Sequence, residues 1–390
     1  MSSSKTLLAE RMDLFNKAMN FEKPERVPTY GNVYAWKAID SDMNVTIEDV
    51  GNSSDLTEKV MREFHERYQF DVYQNPGATR FASIKQRILG ESRLHTIVKS
   101  NSVVSFDRSP MKDDEIREYY QDPVKFLWTK TAPRLYKEYE KGLTFGGAKE
   151  LIADSLEFSA LDLKINEMLL EEYGVPNLIP RPSSISTFLH PLEQYGMTRG
   201  LKNFGIDLRR RKDLVKEIIS PMEEAMFTGV QNMLKSLDTV GCVFNVFTCV
   251  MMNTIISVKQ FEEMYWPLMK KQFDYIQEQG ARVFLLWEAD CIRFSDYFND
   301  YPKGMICLLP EMEDIRDVRR AFPNCTLCGG MPVDLLGQST AEKCLDFAKQ
   351  LVDDMGYGYI LSQNKFLSYE YDAKRENLLT VQDFALNYNY

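Results

Sequence analysis

The chain has 390 residues, 44% of them hydrophobic and 27% charged, and a formal net charge of −10. That composition excludes the disordered, fibrous and collagen-like classes. The acidic balance argues against general nucleic-acid binding, which needs a basic footprint. No stretch reaches the roughly 18 apolar residues needed to span a bilayer.

Residues 1–13 lack the apolar core and cleavage site of a secretory signal. All seven cysteines lie between 242 and 344, mostly inside hydrophobic runs, as reduced buried thiols would. A cytoplasmic protein is expected.

Leu7, Leu8, Met12, Phe15, Ala18 and Met19 recur at helical spacing and predict a helix over 6–20. Pro24 and Pro28 follow and break it. Residues 28–36 form a short aromatic segment with Tyr30, Tyr34 and Trp36. A second helix is predicted over 56–68, and residues 68–73 resemble a strand. The polar, alternating stretch 97–120 reads as a hairpin and loops covering one end of the domain.

A rhythm then sets in. Apolar strand-like runs fall near 177–181, 241–249, 282–288, 305–309, 325–328 and 358–362. Helical segments at 211–236, 257–279, 312–321 and 340–354 separate them. Strand alternating with helix means parallel pairing through right-handed crossovers. No GxGxxG fingerprint follows a strand, which weakens a dinucleotide-binding fold. The expectation is one α/β domain over 1–390, a single (β/α)8 TIM-like barrel. Residues 1–36 would be an N-terminal helical and loop extension, and the hairpin an insertion.

In such a barrel the chemistry sits at the C-terminal ends of the strands. The run Val283, Phe284, Leu285, Leu286 ends abruptly at Glu288 and Asp290. A carboxylate there is costly unless it is solvated, paired or used, and burial would raise its pKa into the range of a working acid or base. Glu288 is therefore the first catalytic candidate, with a structural ion pair as the alternative. Asp290 is expected to cap the next helix. Glu311 ends another apolar run, either as a site residue or in the first turn of a helix. Asn245 and Thr248 close the run 241–249 and could hydrogen-bond a ligand or form a buried polar pair satisfied within the core. His190 is a candidate acid or base, or the start of a helix. Tyr30, Tyr34, Trp36, Tyr73 and Trp287 could wall an apolar pocket or simply fill a core. Three histidines in total make a multi-histidine metal site improbable. The single CxxC, Cys325 and Cys328, has no second pair to complete a zinc site.

Taken in order, several segments resemble the uroporphyrinogen decarboxylase superfamily. These are 11–28 with its Glu-Arg-Val-Pro ending, 198–208, Thr326–Leu336, 356–363 and 375–378. The resemblance runs from about residue 9 to the C-terminus and implies a (β/α)8 barrel. It lies closer to the cobalamin-dependent methyltransferase branch than to the true decarboxylases. Decarboxylases of the family carry an arginine-rich N-terminal loop, whereas residues 29–36 contain no arginine and Arg80 stands alone in its region. Methyltransferases of the family hold zinc through His-x-Cys and a later Cys. Those positions correspond to Leu286, Trp287 and Glu288, and to Lys365. Zinc is accordingly not expected, unless Cys291, Cys325 and Cys328 rebuild a site. Glu288 and Lys365 are expected to form an ion pair or proton relay in its place.

The resemblance implies a methyltransferase that demethylates a small O- or N-methyl substrate, such as a methoxyaromatic, onto a corrinoid protein. Glu288, Lys365 and His190 would be catalytic. Asn245, Tyr30, Trp36, Tyr73, Arg80, Trp287 and Glu311 would bind substrate. The corrinoid would be carried by a partner protein, since no DxHxxG motif is present. A homodimer is compatible with this reading. The alternative is a cofactor-free decarboxylase or lyase on a small carboxylated aromatic or pyrrole-like substrate, with Arg80 and Arg181 as a clamp.

Overall fold

The computed structural model describes residues 3–74, 95–98, 102–105, 108–142 and 144–390. The chain enters through α1 (Ser4–Met19), whose first turn is capped by Ser3 accepting from the Thr6 amide at 3.3 Å. Two short strands follow, β1 (Tyr30–Gly31) and β2 (Val72–Tyr73), parallel and flanking α2 (Ser54–Tyr68). β3 (His95–Val98) and β4 (Ser102–Ser105) form an antiparallel hairpin. The expected hairpin region thus begins earlier than its polar pattern suggested, and its far end is helical at Ile116–Gln121.

A helix absent from the sequence reading, α3 (Phe145–Tyr173), crosses the outside of the molecule. Thr144 caps it by accepting from the Gly147 amide, and Gly174 ends it at φ +64°. Next come β5 (Thr187–Phe188), α4 (Pro191–Arg199), α5 (Leu201–Arg210) and α6 (Lys212–Ser236). The alternation predicted for the second half then appears. It comprises β6 (Val246–Val250), α7 (Trp266–Glu278), β7 (Val283–Trp287), β8 (Ile306–Pro310), α8 (Ile315–Ala321), β9 (Thr326–Met331), α9 (Ala341–Met355) and β10 (Tyr359–Gln363), with α10 (Arg375–Asn387) last. The helix predicted over 257–279 carries a π-helical turn at Phe261–Tyr265, just before Pro267. The strand predicted at 177–181 reduces to a bridge between Asn177 and Cys242.

Six strands form one parallel sheet in the order β10-β9-β8-β7-β6-β5. Every residue of β6, β7, β8 and β10 is buried, as expected for parallel strands covered on both faces. Alternate residues divide between those faces. Val283, Leu285 and Trp287 join the cluster under the helices. Phe284 and Leu286 join an inner cluster with Tyr30, Val72, Leu178, Cys307, Cys328 and Ile360.

The inner cluster shows that the sheet curls. β1 meets β10 through the Thr29–Leu361 bridge, so three strands stand between β1 and β7. In a flat sheet those strands would be about 19 Å apart. Yet the rings of Tyr30 and Phe284 lie 5.3 Å apart. Among the described residues no ladder joins β2 to residues 177–179. The architecture is therefore a helix-rich α/β fold on a curled, six-stranded parallel sheet.

α1 stoppers the inner cluster at the N-terminal ends of the strands with Phe15, Ala18 and Met19. Arg282, at the start of β7, holds it there by donating to Asn16 Oδ1 at 3.0 Å and Asn20 Oδ1 at 2.8 Å. Gly304, entering β8 at φ +71°, passes so close that a Cβ would sit 1.6 Å from the Met19 carbonyl oxygen.

Candidate functional site

Parity along the strands defines the site. In β7 the inward series Phe284, Leu286 continues to Glu288; in β8 Cys307, Leu309 continues to Glu311. Pairing also continues past the strand ends: the Glu288 amide donates to the Val250 carbonyl at 3.0 Å and the Glu311 amide to the Trp287 carbonyl at 3.1 Å. Trp287 and Pro310 are register partners, so the two glutamates occupy equivalent places on adjacent strands. Their backbones are about 4.8 Å apart, the ladder spacing.

Glu288 is exposed, yet burial raises its carboxyl pKa. Both hold if the side chain stands in a recess, open to water and walled by protein. Glu311 is pushed up to about 7, first by burial and then by the negative charge of Glu288, against the pull of Lys365. The Cys249 thiol, inward-facing on β6, is raised well above its usual value by burial and by three carboxylates, Glu193, Glu288 and Glu311.

Glu193 is the member of this group that sequence reasoning missed. It lies in the first turn of α4, where an acid reads as a partner of the helix dipole. Its side chain is instead fully buried. It accepts from the Met251 amide at 3.2 Å, the Met252 amide at 3.0 Å and the Tyr265 hydroxyl at 2.9 Å. Burial drives its pKa up to about 7, with Glu288 adding to the rise against those three donors. Glu193 thereby fixes the chain where it leaves β6.

Lys365 lies in the segment after β10, exposed. Among the described residues it forms no direct ion pair with Glu288, and its charge acts on Glu311 instead. Near it, Phe366 meets the edge of Tyr34 at 6.5 Å, and Asn32 and Gln363 tie β1 to β10 by a 3.0 Å bond from the Asn32 amide. His190 takes the helix-start role: its Nδ1 accepts from the Leu192 amide at 3.1 Å and its ring stacks on Tyr265 at 3.9 Å. Burial lowers its imidazole to about 3, so the ring is neutral.

Several candidates fall elsewhere. Asn245 stands at the opposite end of the sheet. β6 begins only at Val246, and Asn245 Oδ1 accepts from the Arg282 amide at 2.7 Å. Trp287 faces the helices among Phe261, Phe294 and Phe298, because the residue before an inward Glu288 must point outward. Trp36 packs on Phe64 and Tyr68 in the same outer cluster. Tyr73 does likewise, bonding His65 Nδ1 at 2.9 Å. Tyr30 alone of the aromatics expected to bind substrate faces inward, with its hydroxyl donating to Gln74 Oε1 at 2.8 Å. Arg80 lies outside the described residues. Asp290 pairs with Arg293 at 2.6 Å, while Glu313 caps the following turn by accepting from the Cys291 and Ile292 amides.

Arg181 is buried beside this interior. Among the described residues its nearest carboxylate is Asp162 at 3.6 Å, it donates to the Gln74 carbonyl, and its Nε has no hydrogen-bond partner. Both Arg181 and Glu311 act on the Tyr30 hydroxyl, which places a cation and an acid near the same ring.

Among the described residues Cys291, Cys325 and Cys328 do not converge on a zinc site. Three positions of separation on a strand put Cys325 in the outer cluster and Cys328 in the inner one. Cys291 is engaged by Glu313 through a 2.9 Å Sγ–Oε2 contact. Among the described residues no group of three or more His, Cys, Asp or Glu side chains is arranged to hold a metal ion. Nor is any helix among them long and apolar enough to cross a membrane.

No family model and no curated protein matches the chain. Among solved structures it is similar to a methyltransferase from Methanosarcina mazei, with a TM-score of 0.58 and 13% identity, over 98% of this chain and 99% of that one. The likeness is one of fold.

Proposed function

We propose that the chain is a methyltransferase of the uroporphyrinogen decarboxylase superfamily, built on a closed (β/α)8 barrel. It would demethylate a small O- or N-methyl substrate onto a corrinoid protein. The fold shared with a methyltransferase supports the class. The observation that carries the mechanism is the Glu288–Glu311 pair, two inward carboxyls in register on adjacent strand ends.

Like charges so placed favour holding one proton between them near neutrality. The methyl acceptor, a reduced corrinoid on a partner protein, is a second substrate. When the methyl–oxygen or methyl–nitrogen bond breaks, the departing atom takes the bond's electron pair. Glu288, the member open to the recess, delivers the proton to it as general acid. Glu311 holds the proton in reserve, and Lys365 tempers how firmly. Glu193 keeps the segment beside Glu288 in place.

The test is methyl transfer from methoxylated aromatics and methylamines to free cob(I)alamin, followed by loss of the reduced-cobalt absorbance. Transfer with one substrate class, slowed by roughly 100-fold or more in Glu288→Gln, supports the reading. Transfer unaffected by Glu288→Gln and Glu311→Gln sinks it.

The Arg181 Nε, without a hydrogen-bond partner among the described residues, favours a second reading, a lyase acting on a carboxylated substrate. Release of CO₂ without any methyl acceptor would select it.

A further inference from the structure

The long helix α3 carries a line of exposed apolar side chains. Phe145, Ile152, Leu156 and Leu163 are 88%, 61%, 66% and 42% exposed. Their spacings are seven, four and seven residues. At 100° per residue all four fall within about 20° of one line along the helix, over roughly 27 Å. The rest of the helix is engaged. Asp154, on the far side, is buried. One flank is tied to α2 through Lys164–Glu58 at 2.6 Å and Ser54–Glu157 at 2.8 Å. The other borders a cavity of about 550 Å³ whose lining includes Leu127, Trp128, Ser155 and Ser159. Leu127 and Trp128 are themselves 46% and 42% exposed and extend the apolar surface. A contiguous apolar patch of this kind on a water-facing helix marks an interaction site.

The pattern also identifies the occupant. Spacings of seven, four and seven read the same in both directions, with their centre at residue 154. A two-fold axis across the helix at that point lays the stripe antiparallel on itself. Phe145 then meets Leu163 of the second copy, and Ile152 meets Leu156. Isologous contacts of this sort are what a two-fold dimer requires. Charge agrees with the match. Lys149 is the one charged residue on the span within about 40° of the line, and the axis sets it over Ser159 of the second copy. Small residues, Ala153, Ser155 and Ala160, flank the stripe and permit close helix approach.

We propose that the chain forms a two-fold homodimer through antiparallel pairing of α3 along Phe145, Ile152, Leu156 and Leu163. The stripe is short of a full obligate interface, so a dimer of roughly micromolar affinity is expected.

Sedimentation velocity of the full chain, run up to about 100 µM, should show a monomer–dimer equilibrium. Leu156→Glu should abolish it while leaving the thermal melt unchanged. Cysteine pairing fixes the geometry. Under mild oxidation Phe145→Cys combined with Leu163→Cys should give a covalent dimer, and Phe145→Cys alone should not. A monomer throughout the range overturns the proposal, as does a dimer that survives Leu156→Glu. Efficient cross-linking through Phe145→Cys alone would show a parallel arrangement and overturn it too.

Discussion

Glu288 and Glu311 extend two neighbouring strands by one residue each and turn their carboxyls to the same interior face. Two acids so placed cannot ionise independently. Methyl transfer that needs a protonated acid should therefore decline as pH rises through about 7, where Glu311 gives up its proton. The charge on Glu288 raises Glu311 and Lys365 lowers it. Lys365→Met should therefore move the alkaline limb of the rate to higher pH, while Glu288→Gln, which lacks the proton donor, should bring the Glu311 titration itself to lower pH. A pH–rate profile of Lys365→Met and a carboxyl NMR titration of Glu288→Gln check this, and a limb and a titration that both stay put would dissociate the pair from the rate.

Glu193 couples stability to pH. Its folded pKa of about 7 lies above the usual carboxylate value of 4.5, so the folded state holds the proton more tightly. The associated stability is fully present below about 4.5 and is lost as pH rises through 7, at most about 3 kcal/mol. Chemical denaturation at pH 5 and pH 8 should show this fall in the wild type. Glu193→Gln, which does not titrate, should show a smaller one.

Arg199 and Asp207, both fully buried, anchor the segment before Ile116 to α4 and α5. Arg199 Nε donates to Asp207 at 2.7 Å, its Nη1 to the Met111 carbonyl at 2.6 Å, and Asp207 also accepts from Tyr195 and Arg211. Arg199→Met would leave Asp207 with less compensation and should cost about 3–5 kcal/mol. Pairing it with Asp207→Leu should recover part of the loss, giving a strongly non-additive cycle in urea melts.

Two glycines separate backbone strain from steric exclusion. Gly280 and Gly304 both have positive φ, but a Cβ at Gly280 meets nothing within 4 Å, while one at Gly304 meets the Met19 carbonyl. Gly280→Ala should cost about 1 kcal/mol. Gly304→Ala should cost several times more, because α1 would have to move away from the strand ends. Thermal denaturation of the two variants distinguishes these effects.

How far the sequence speaks depends on where burial is continuous. The uninterrupted apolar runs that become β6 to β10 announce themselves, since strands covered on both faces need no polar alternation. β1 and β2 are two residues each and leave no such signature. α3 escapes because it is apolar on more than one side: exposed Phe145, Ile152 and Leu156 blur the periodicity of buried Leu161 and Ile165. Glu288 and Glu311 were legible as acids ending apolar runs. Trp287 faces the helices by the same parity that turns Glu288 inward, a constraint present in the sequence itself. Asn245 lies at the far end of the sheet because the apolar run 241–249 starts before the ladder does. Glu193 had no local signal, as its burial depends on Met251, Met252 and Tyr265, more than fifty residues away.

The stopper formed by α1 leaves the interior blind at one end. If the barrel is closed as proposed, whatever reaches Glu288 comes and goes through the rim on the other side. Under the methyltransferase reading, a small substrate and a macromolecular acceptor then compete for a single doorway. The small molecule has to be seated before the acceptor settles over it, and the demethylated product can depart only after the acceptor lifts away. Turnover would follow a compulsory order, with excess acceptor acting as its own inhibitor by closing the empty enzyme.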